Sequence, residues 1–468
     1  LKKDFSKIGS LLGRSLLQSN ALTFLYFKVW QRGCLPPLAR LICCIMEKGK
    51  SDKRGPRICI FGSADDILIL LLGGNTMKQR ILAAAMAAVM MGTALTGCGN
   101  KPAESGSSSA AANTDASEIV IGGLAPLTGN ASIYGIAVNN AIQLAVEQIN
   151  QGEGVLGKKI KYISYDTKND ATEAVNAYNK LVQNDKIVAL VGDVTSTPTL
   201  AVAPEAVKSG IPMISATATA EDVTAAGPNV FRACFTDPFQ GDLMANYASK
   251  KLNAKTAAII YNMADDYSVG LAETFEKTAK DLGLEIVAKE SYTTNDVDFK
   301  SQLTKIAAKS PDVFFVPVYY QDVALIATQA RQLGIKSTLL GGDGWDGVIE
   351  QIGKDNASAV EGSLFCSQYS AESTDPALQK FLEDYKAKYN TDANMFAVLG
   401  YDALHILVQA IEEAGSTDSA AVVEKLTAIK YSGLTGEITY DENRNPIKQA
   451  AITQIKDGAY KFLEYYSK

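Results

Sequence analysis

The sequence predicts an α/β protein of two successive lobes, each a doubly wound parallel sheet with helices on both faces. Three observations predict it. From Glu118 onward, short β-rich runs alternate with amphipathic stretches of helical length, the order that builds parallel sheets. The alternation breaks after residues 230–235 and restarts with the same rhythm, which calls for a second sheet. Near the C-terminus it gives way to strands joined by the turn Lys456-Asp457-Gly458, so the chain turns back on itself and its lobes are discontinuous.

In the first lobe, strands are expected at residues 119–127, 159–166, 187–192 and 212–216, with helices at 133–150, 171–184 and 199–209 between them. The second lobe repeats the pattern with strands at 256–261, 285–292, 312–319 and 337–341. A further strand at 362–369 precedes helices at 376–389, 393–414 and 419–429, and the last strands fall at 436–440, 450–455 and 460–464.

Ahead of this body, Met77-Lys78-Gln79-Arg80 precedes the apolar run 81–95 and then Leu95-Thr96-Gly97-Cys98. A basic start, a short apolar run and a small-residue site make a signal peptide over 77–97, since a membrane span needs about 20 apolar residues. Residues 1–76 begin with Leu1, carry Cys34, Cys43, Cys44 and Cys59, and are expected to be upstream extension rather than native protein, a cytoplasmic extension being the alternative. Residues 98–117 are rich in Ala, Ser and Gly without apolar period, which predicts a flexible tether.

Beyond residue 76 the chain carries 33 Lys+Arg against 46 Asp+Glu, a net charge of about −13. An acidic body without basic clusters offers no footprint for nucleic acid or anionic lipid. The single histidine, His405, lies in the apolar run Leu404-His405-Ile406-Leu407-Val408, where a structural role is expected. The body lacks His-x-x-x-His, Cys-x-x-Cys, Gly-x-Ser-x-Gly and any phosphate loop, which argues against an enzyme, a metal and a nucleotide cofactor.

Several segments, taken in order, resemble the leucine/isoleucine/valine-binding family of type I periplasmic solute-binding proteins that serve ABC importers. They are Leu127-Thr128-Gly129 with Tyr134-Gly135, Val191-Gly192-Asp193-Val194-Thr195-Ser196, Ile214-Ser215-Ala216-Thr217-Ala218-Thr219, Val230-Phe231-Arg232, and Leu340-Gly341-Gly342-Asp343-Gly344-Trp345-Asp346. The resemblance covers residues 118–468. It implies two lobes joined by a three-crossover hinge, with crossings near Cys234, Phe365 and Gly433; lobe one holds 118–235 and 367–432, lobe two 236–366 and 433–468. The leader resembles a lipobox, which implies lipidation of Cys98, a membrane anchor, and a place in the periplasm or on the outer face of the cytoplasmic membrane. Permease and ATPase subunits of an importer are the implied partners, with a monomer expected and a ligand-sensing receptor the alternative.

A free amino acid needs donors for its carboxylate, an acceptor for its ammonium and a shaped apolar wall. The runs after strands 187–192 and 212–216 open helices, whose unpaired N–H groups and positive dipole ends suit a carboxylate, although Ser and Thr there are also ordinary helix caps. The resemblance implies that Ser196 and Thr219 bind the carboxylate, with Thr217 and Ala218 beside them, Thr217 offering its carbonyl to the ammonium. Asp343 is the implied ammonium partner, where an Asx-turn is the plainer reading. Tyr134, Tyr319, Trp345 and Phe396 would form the wall, with Val194 and Thr195 beside the carboxylate and Tyr267 closing from lobe two; any of these aromatics could otherwise be core. A branched-chain ligand is expected, with another small amide or polar amino acid as the alternative. Arg232 is expected at the hinge, and Cys234 and Cys366 are either two buried thiols or a disulfide.

Overall fold

The computed structural model describes residues 41–44, 57–63, 66–72 and 118–467 apart from 371. The expected signal peptide, tether and Cys98 lie outside the described residues. Strands β1 (Leu41–Cys44), β2 (Arg57–Ser63) and β3 (Asp66–Leu72) pair antiparallel in that order and belong to a unit separate from the body.

Lobe one is a five-stranded, all-parallel sheet in the order β5-β4-β6-β7-β8. Its strands are β4 (Glu118–Ala125), β5 (Lys159–Asp166), β6 (Ala189–Val191), β7 (Met213–Ser215) and β8 (Val230–Arg232). Four helices connect them: α1 (Ser132–Gln151), α2 (Ala171–Lys180), α3 (Ser196–Ser209) and the single turn α4 (Asp222–Ala225). This is a doubly wound order with its switch point between β4 and β6, and in such sheets the ligand crevice lies off the carboxyl ends of the two strands at the switch.

Lobe two repeats the arrangement. Helix α5 (Asp237–Lys250) leads into β9 (Thr256–Asn262), α6 (Asp266–Asp281), β10 (Glu285–Tyr292), α7 (Lys300–Ala307), β11 (Val313–Phe315), α8 (Tyr320–Gln332), β12 (Thr338–Gly341), α9 (Val348–Ile352) and β13 (Leu364–Ser367). The strands lie parallel in the order β10-β9-β11-β12-β13, with the switch between β9 and β11. Two antiparallel strands, β16 (Ala450–Lys456) and β17 (Ala459–Tyr466), extend the β13 edge. Their turn is Asp457-Gly458, both at positive φ (54° and 70°), as a two-residue hairpin of Asp-Gly type requires.

After β13 the chain returns to lobe one for α10 (Pro376–Tyr389), α11 (Met395–Ala414) and α12 (Ser419–Thr427). Helix α11 is long and apolar enough to pass for a membrane span, but most of it is buried inside the protein. It packs along α1, and Gly400 permits the close approach: a Cβ there would stand 3.0 Å from the Val138 backbone. Each Leu, Ile or Phe buried in such contacts contributes about 1.5–3 kcal/mol.

The first two passages between the sheets run between β8 and α5 and between β13 and α10. They are tied together, since the Phe235 N–H donates to Gln368 Oε1 (3.0 Å). The third falls later than Gly433. The hairpin β14 (Tyr431–Gly433) and β15 (Gly436–Ile438) stays on lobe one, where Asp402 of α11 accepts from Leu434 N (2.8 Å) and Thr435 N (3.0 Å). Arg444 donates to the carbonyls of Thr224 (2.6 Å) and Val230 (3.2 Å), also in lobe one. The chain leaves only between Lys448 and Ala450, so residues 433–448 pack with lobe one, contrary to the expected boundary. Cys234 and Cys366 are buried free thiols.

Candidate functional site

At the carboxyl ends of the lobe-one strands, the loop after the switch strand β6 and the loop after its neighbour β7 are laced together by hydroxyl-to-carbonyl bonds. Ser215 Oγ donates to Asp193 O (2.7 Å) and Thr217 Oγ1 to Val194 O (2.5 Å). Thr195 holds the N-cap position of α3, but its hydroxyl donates to Asn169 Oδ1 (2.6 Å) and no side chain caps the helix. The first N–H groups of α3 therefore lack the usual side-chain acceptor, which is how a helix start becomes an anion site. Ser196 Oγ accepts from Ala220 N (3.1 Å), leaving the hydroxyl proton to donate elsewhere. The second expected helix start is only the one-turn α4, so Thr219 adds its hydroxyl and backbone but little dipole.

Asp343 stands opposite, at the end of β12 in lobe two. It is 2% exposed, and burial pushes its carboxyl up to about 6 against hydrogen bonds from Tyr267 and Gln240. Tyr267 Oη also accepts from Gly344 N (2.9 Å). Tyr267 stacks on Tyr319 with ring centroids 4.8 Å apart, and the buried Tyr319 hydroxyl has no protein partner.

Between the lobes is a narrow space of about 10 Å³, tightly closed around its lining of Val194, Thr195, Ser196, Thr217, Thr219, Tyr267, Tyr319, Asp343, Gly344 and Phe396. Larger concavities open to solvent on the outer faces contain none of these residues.

Both rims are shut. On one side Thr197 Oγ1 donates to Asp266 Oδ2 (2.7 Å) and accepts from Asp266 N (3.1 Å). On the other, the Tyr134 hydroxyl of lobe one donates to Gly344 O (2.5 Å) and accepts from Tyr320 N (3.1 Å). Ala131 N donates to Gln321 Oε1 (3.3 Å) on the same side.

Nine of the expected binding residues thus face one cavity, and three do not. Trp345 is fully buried in lobe two with its indole N–H on Val316 O (2.8 Å). It folds back over β12 because position 341 is glycine, where a Cβ would sit 2.0 Å from the indole nitrogen. Ala218 is structural: its N–H bonds Ser215 Oγ (3.0 Å) and its carbonyl accepts from Arg232 Nη1 (3.0 Å) and Cys234 Sγ (3.3 Å). Tyr134 stands behind the wall, stacked on Phe396 at 3.8 Å. Arg232 is wholly buried and also bonds the carbonyls of Ala220 (2.7 Å) and Glu221 (3.0 Å).

Sequence reasoning passed over Gly344, which was legible only as part of a turn, and the buried pair Asp237 and Gln240 beneath Asp343, for which no local pattern exists. His405 is mostly buried against Tyr401, its ring held neutral by burial with a pKa down to about 4. Among the described residues no group of three or more His, Cys, Asp or Glu is placed to hold a metal.

Comparison with known proteins agrees with this geometry. Residues 118–459 match the periplasmic binding protein family. The chain is 34% identical over 339 residues to a Leu/Ile/Val-binding protein of Rhizobium johnstonii, covering 71% of this chain and 90% of that one. A leucine-binding protein, LivK, of Thermotoga maritima superposes with a TM-score of 0.70 at 36% identity, covering 74% of this chain and 98% of its own. The branched-chain amino acid transporter binding protein LivJ of Streptococcus pneumoniae, solved with isoleucine, gives 0.70 at 34%, covering 75% and 99%. Its fold, its cleft and these relatives together place the chain in the leucine/isoleucine/valine-binding family of periplasmic binding proteins.

Proposed function

We propose that the protein captures a free amino acid with a branched apolar side chain between its lobes and delivers it to the permease and ATPase subunits of an ABC importer. The observation that carries this reading is the pairing of an uncapped helix start in lobe one with a buried acid in lobe two across one narrow interlobe space. The α3 start and the Ser196 and Thr219 hydroxyls would take the carboxylate; Asp343 and the Thr217 carbonyl would take the ammonium. Phe396, Tyr319, Tyr267 and Val194 would enclose the side chain. The named relatives support the ligand class, because one holds isoleucine. A ligand touching both lobes favours the closed arrangement by its differential contacts, and a transporter can then tell loaded from empty protein.

On this reading the protein is a binding protein and not an enzyme. It works as a monomer outside the cytoplasmic membrane, held by a lipid on Cys98 after removal of the leader. A thermal-shift screen of ligand-stripped protein against all amino acids, short amides and sugars tests the proposal. A ligand at a hundred times its Kd adds about 2.7 kcal/mol of stability. Leucine, isoleucine or valine should give the largest shifts; stabilisation by sugars and by no amino acid would sink it.

A further inference from the structure

Gln240, in the first turn of α5, is completely buried. Its amide oxygen accepts from the Asp343 N–H (2.9 Å) and from the Cys366 thiol on the second crossing (3.2 Å). Its amide nitrogen donates to Asp237 Oδ1 on the first crossing (3.3 Å). One side chain therefore joins two of the three hinge crossings to the acid of the cleft. A buried amide left unpaired is costly, so an apolar residue would fill this space with less risk unless the bonds themselves were needed.

We propose that Gln240 is a positioning residue for ligand recognition: by holding the Asp343 backbone it sets where that carboxylate meets the ligand's ammonium, and it ties this setting to the closed hinge. The proposal rests on the reading of Asp343 as the ammonium partner.

The loop that carries Asp343 has glycine on both sides, Gly342 and Gly344, and so has little stiffness of its own. It is clamped from outside by two groups, Tyr267 Oη on Gly344 N and Gln240 Oε1 on Asp343 N. The glycines let those clamps reach it: a Cβ at 342 would stand 2.8 Å from Tyr267 Oη and 3.0 Å from Gln240 Oε1. Gln240 belongs to the helix that begins at the first crossing, so the clamp moves with the hinge.

The titratable groups that face Asp343 are Asp237 from α5, Tyr267 from α6, Tyr134 from α1, Tyr319 before α8, Cys234 and Cys366 from the two crossings, and Asp346 from its own loop. None is a cation. Asp237 is itself held well above the usual carboxylate range by burial. The amide of Gln240 and the phenol of Tyr267 thus support the ionised form of Asp343 where no counter-charge does. Removing the amide makes Asp343 harder to ionise, and the pH below which an ammonium ligand is lost then moves up.

The test is calorimetric titration of the full, ligand-stripped chain with leucine from pH 5 to pH 8, for wild type, Gln240→Met, Gln240→Glu and Asp343→Asn. Wild type should hold a constant affinity above about pH 7 and lose roughly tenfold per unit below the Asp343 midpoint. Gln240→Met should bind at least about fivefold more weakly at pH 8 and carry its midpoint upward by roughly half a unit or more. If Met at this buried site prevents folding, Gln240→Glu, equal in size, should still move the midpoint up by adding a carboxylate beside Asp343. Weaker binding with an unmoved midpoint in the variants would reduce Gln240 to a packing residue and overturn the proposal. Unchanged affinity and pH profile in Asp343→Asn would instead defeat the reading of Asp343, a result distinct from failure of the Gln240 variants.

Discussion

The hydroxyl of Tyr134, on the first helix of lobe one, donates to the carbonyl of Gly344 in lobe two and accepts from the N–H of Tyr320, also in lobe two. The ring is wholly buried and stacks on Phe396, which faces the cavity. One side chain thus supports the cavity wall and bonds one lobe to the other.

Tyr134→Phe keeps the stacking and deletes both interlobe hydrogen bonds, leaving the Gly344 carbonyl and Tyr320 N–H without their partner. The closed form should lose about 1–3 kcal/mol, seen as roughly 5- to 150-fold weaker leucine binding. Calorimetry checks the affinity, and small-angle scattering at saturating leucine should find a more open average shape. Full affinity in the variant would count against the Tyr134 bond as a closing contact.

Ser196 makes one protein bond, accepted from Ala220 N, and its proton is free for a ligand carboxylate. Ser196→Ala should weaken leucine binding by about 1.5–3 kcal/mol, the range for a hydrogen bond to a charged group. The ligand-free protein should lose only about 1 kcal/mol, which urea unfolding can measure. A large stability loss with intact binding would mark Ser196 as a structural cap.

The Tyr319 hydroxyl is buried without a protein partner, on a residue that lines the cavity. Tyr319→Phe should leave valine affinity within about threefold and weaken its isostere threonine, which can bond the phenol, by about 1 kcal/mol or more. The ratio of the two dissociation constants is the readout. Equal loss for both would assign the hydroxyl to the shared headgroup.

Burial raises the carboxyls of Asp193 and Asp343 to about 6 and those of Asp265 and Asp346 to about 7, against about 3.9 in an unfolded chain. Between about pH 4 and 7 the folded protein therefore keeps protons that the unfolded chain has released, and stability falls as pH rises. His405, with its pKa lowered to about 4, opposes this, as does Glu276, whose carboxyl is held below its usual range by hydrogen bonds from Lys280 and Lys289. The ligand-free protein should melt at higher temperature at pH 5 than at pH 7.5, while leucine, which needs Asp343 ionised, should add more stability at pH 7.5. A ligand-free melting point that climbs with pH would contradict these burial effects.

The two-lobe plan was legible because period and alternation are local, and parallel sheets then put the cleft off the carboxyl ends of their strands, where Val194 to Ser196 and Thr217 to Thr219 were already conspicuous. What was not legible depends on distant partners. Gln240 meets Asp343 and Cys366 across 103 and 126 residues, and nothing beside it in the chain announces that. Trp345 was misplaced because its neighbours read as a cleft loop, whereas the space opened by Gly341 draws the indole inward. The third crossing was placed about fifteen residues early because the β14–β15 hairpin is itself strand-like. Only its bonds to Asp402, and those of Arg444 to lobe one, keep it there.

The central claim is that the cleft recognises both charged ends of an amino acid, one from each lobe. Calorimetry of ligand-stripped protein with leucine, with 4-methylpentanoate, which lacks the ammonium, and with 3-methylbutylamine, which lacks the carboxylate, tests it most directly. Leucine should bind, and each analogue should bind weaker by at least about 2 kcal/mol, roughly thirtyfold. Binding of 4-methylpentanoate as tight as that of leucine would contradict the role given to Asp343 and the account built on it.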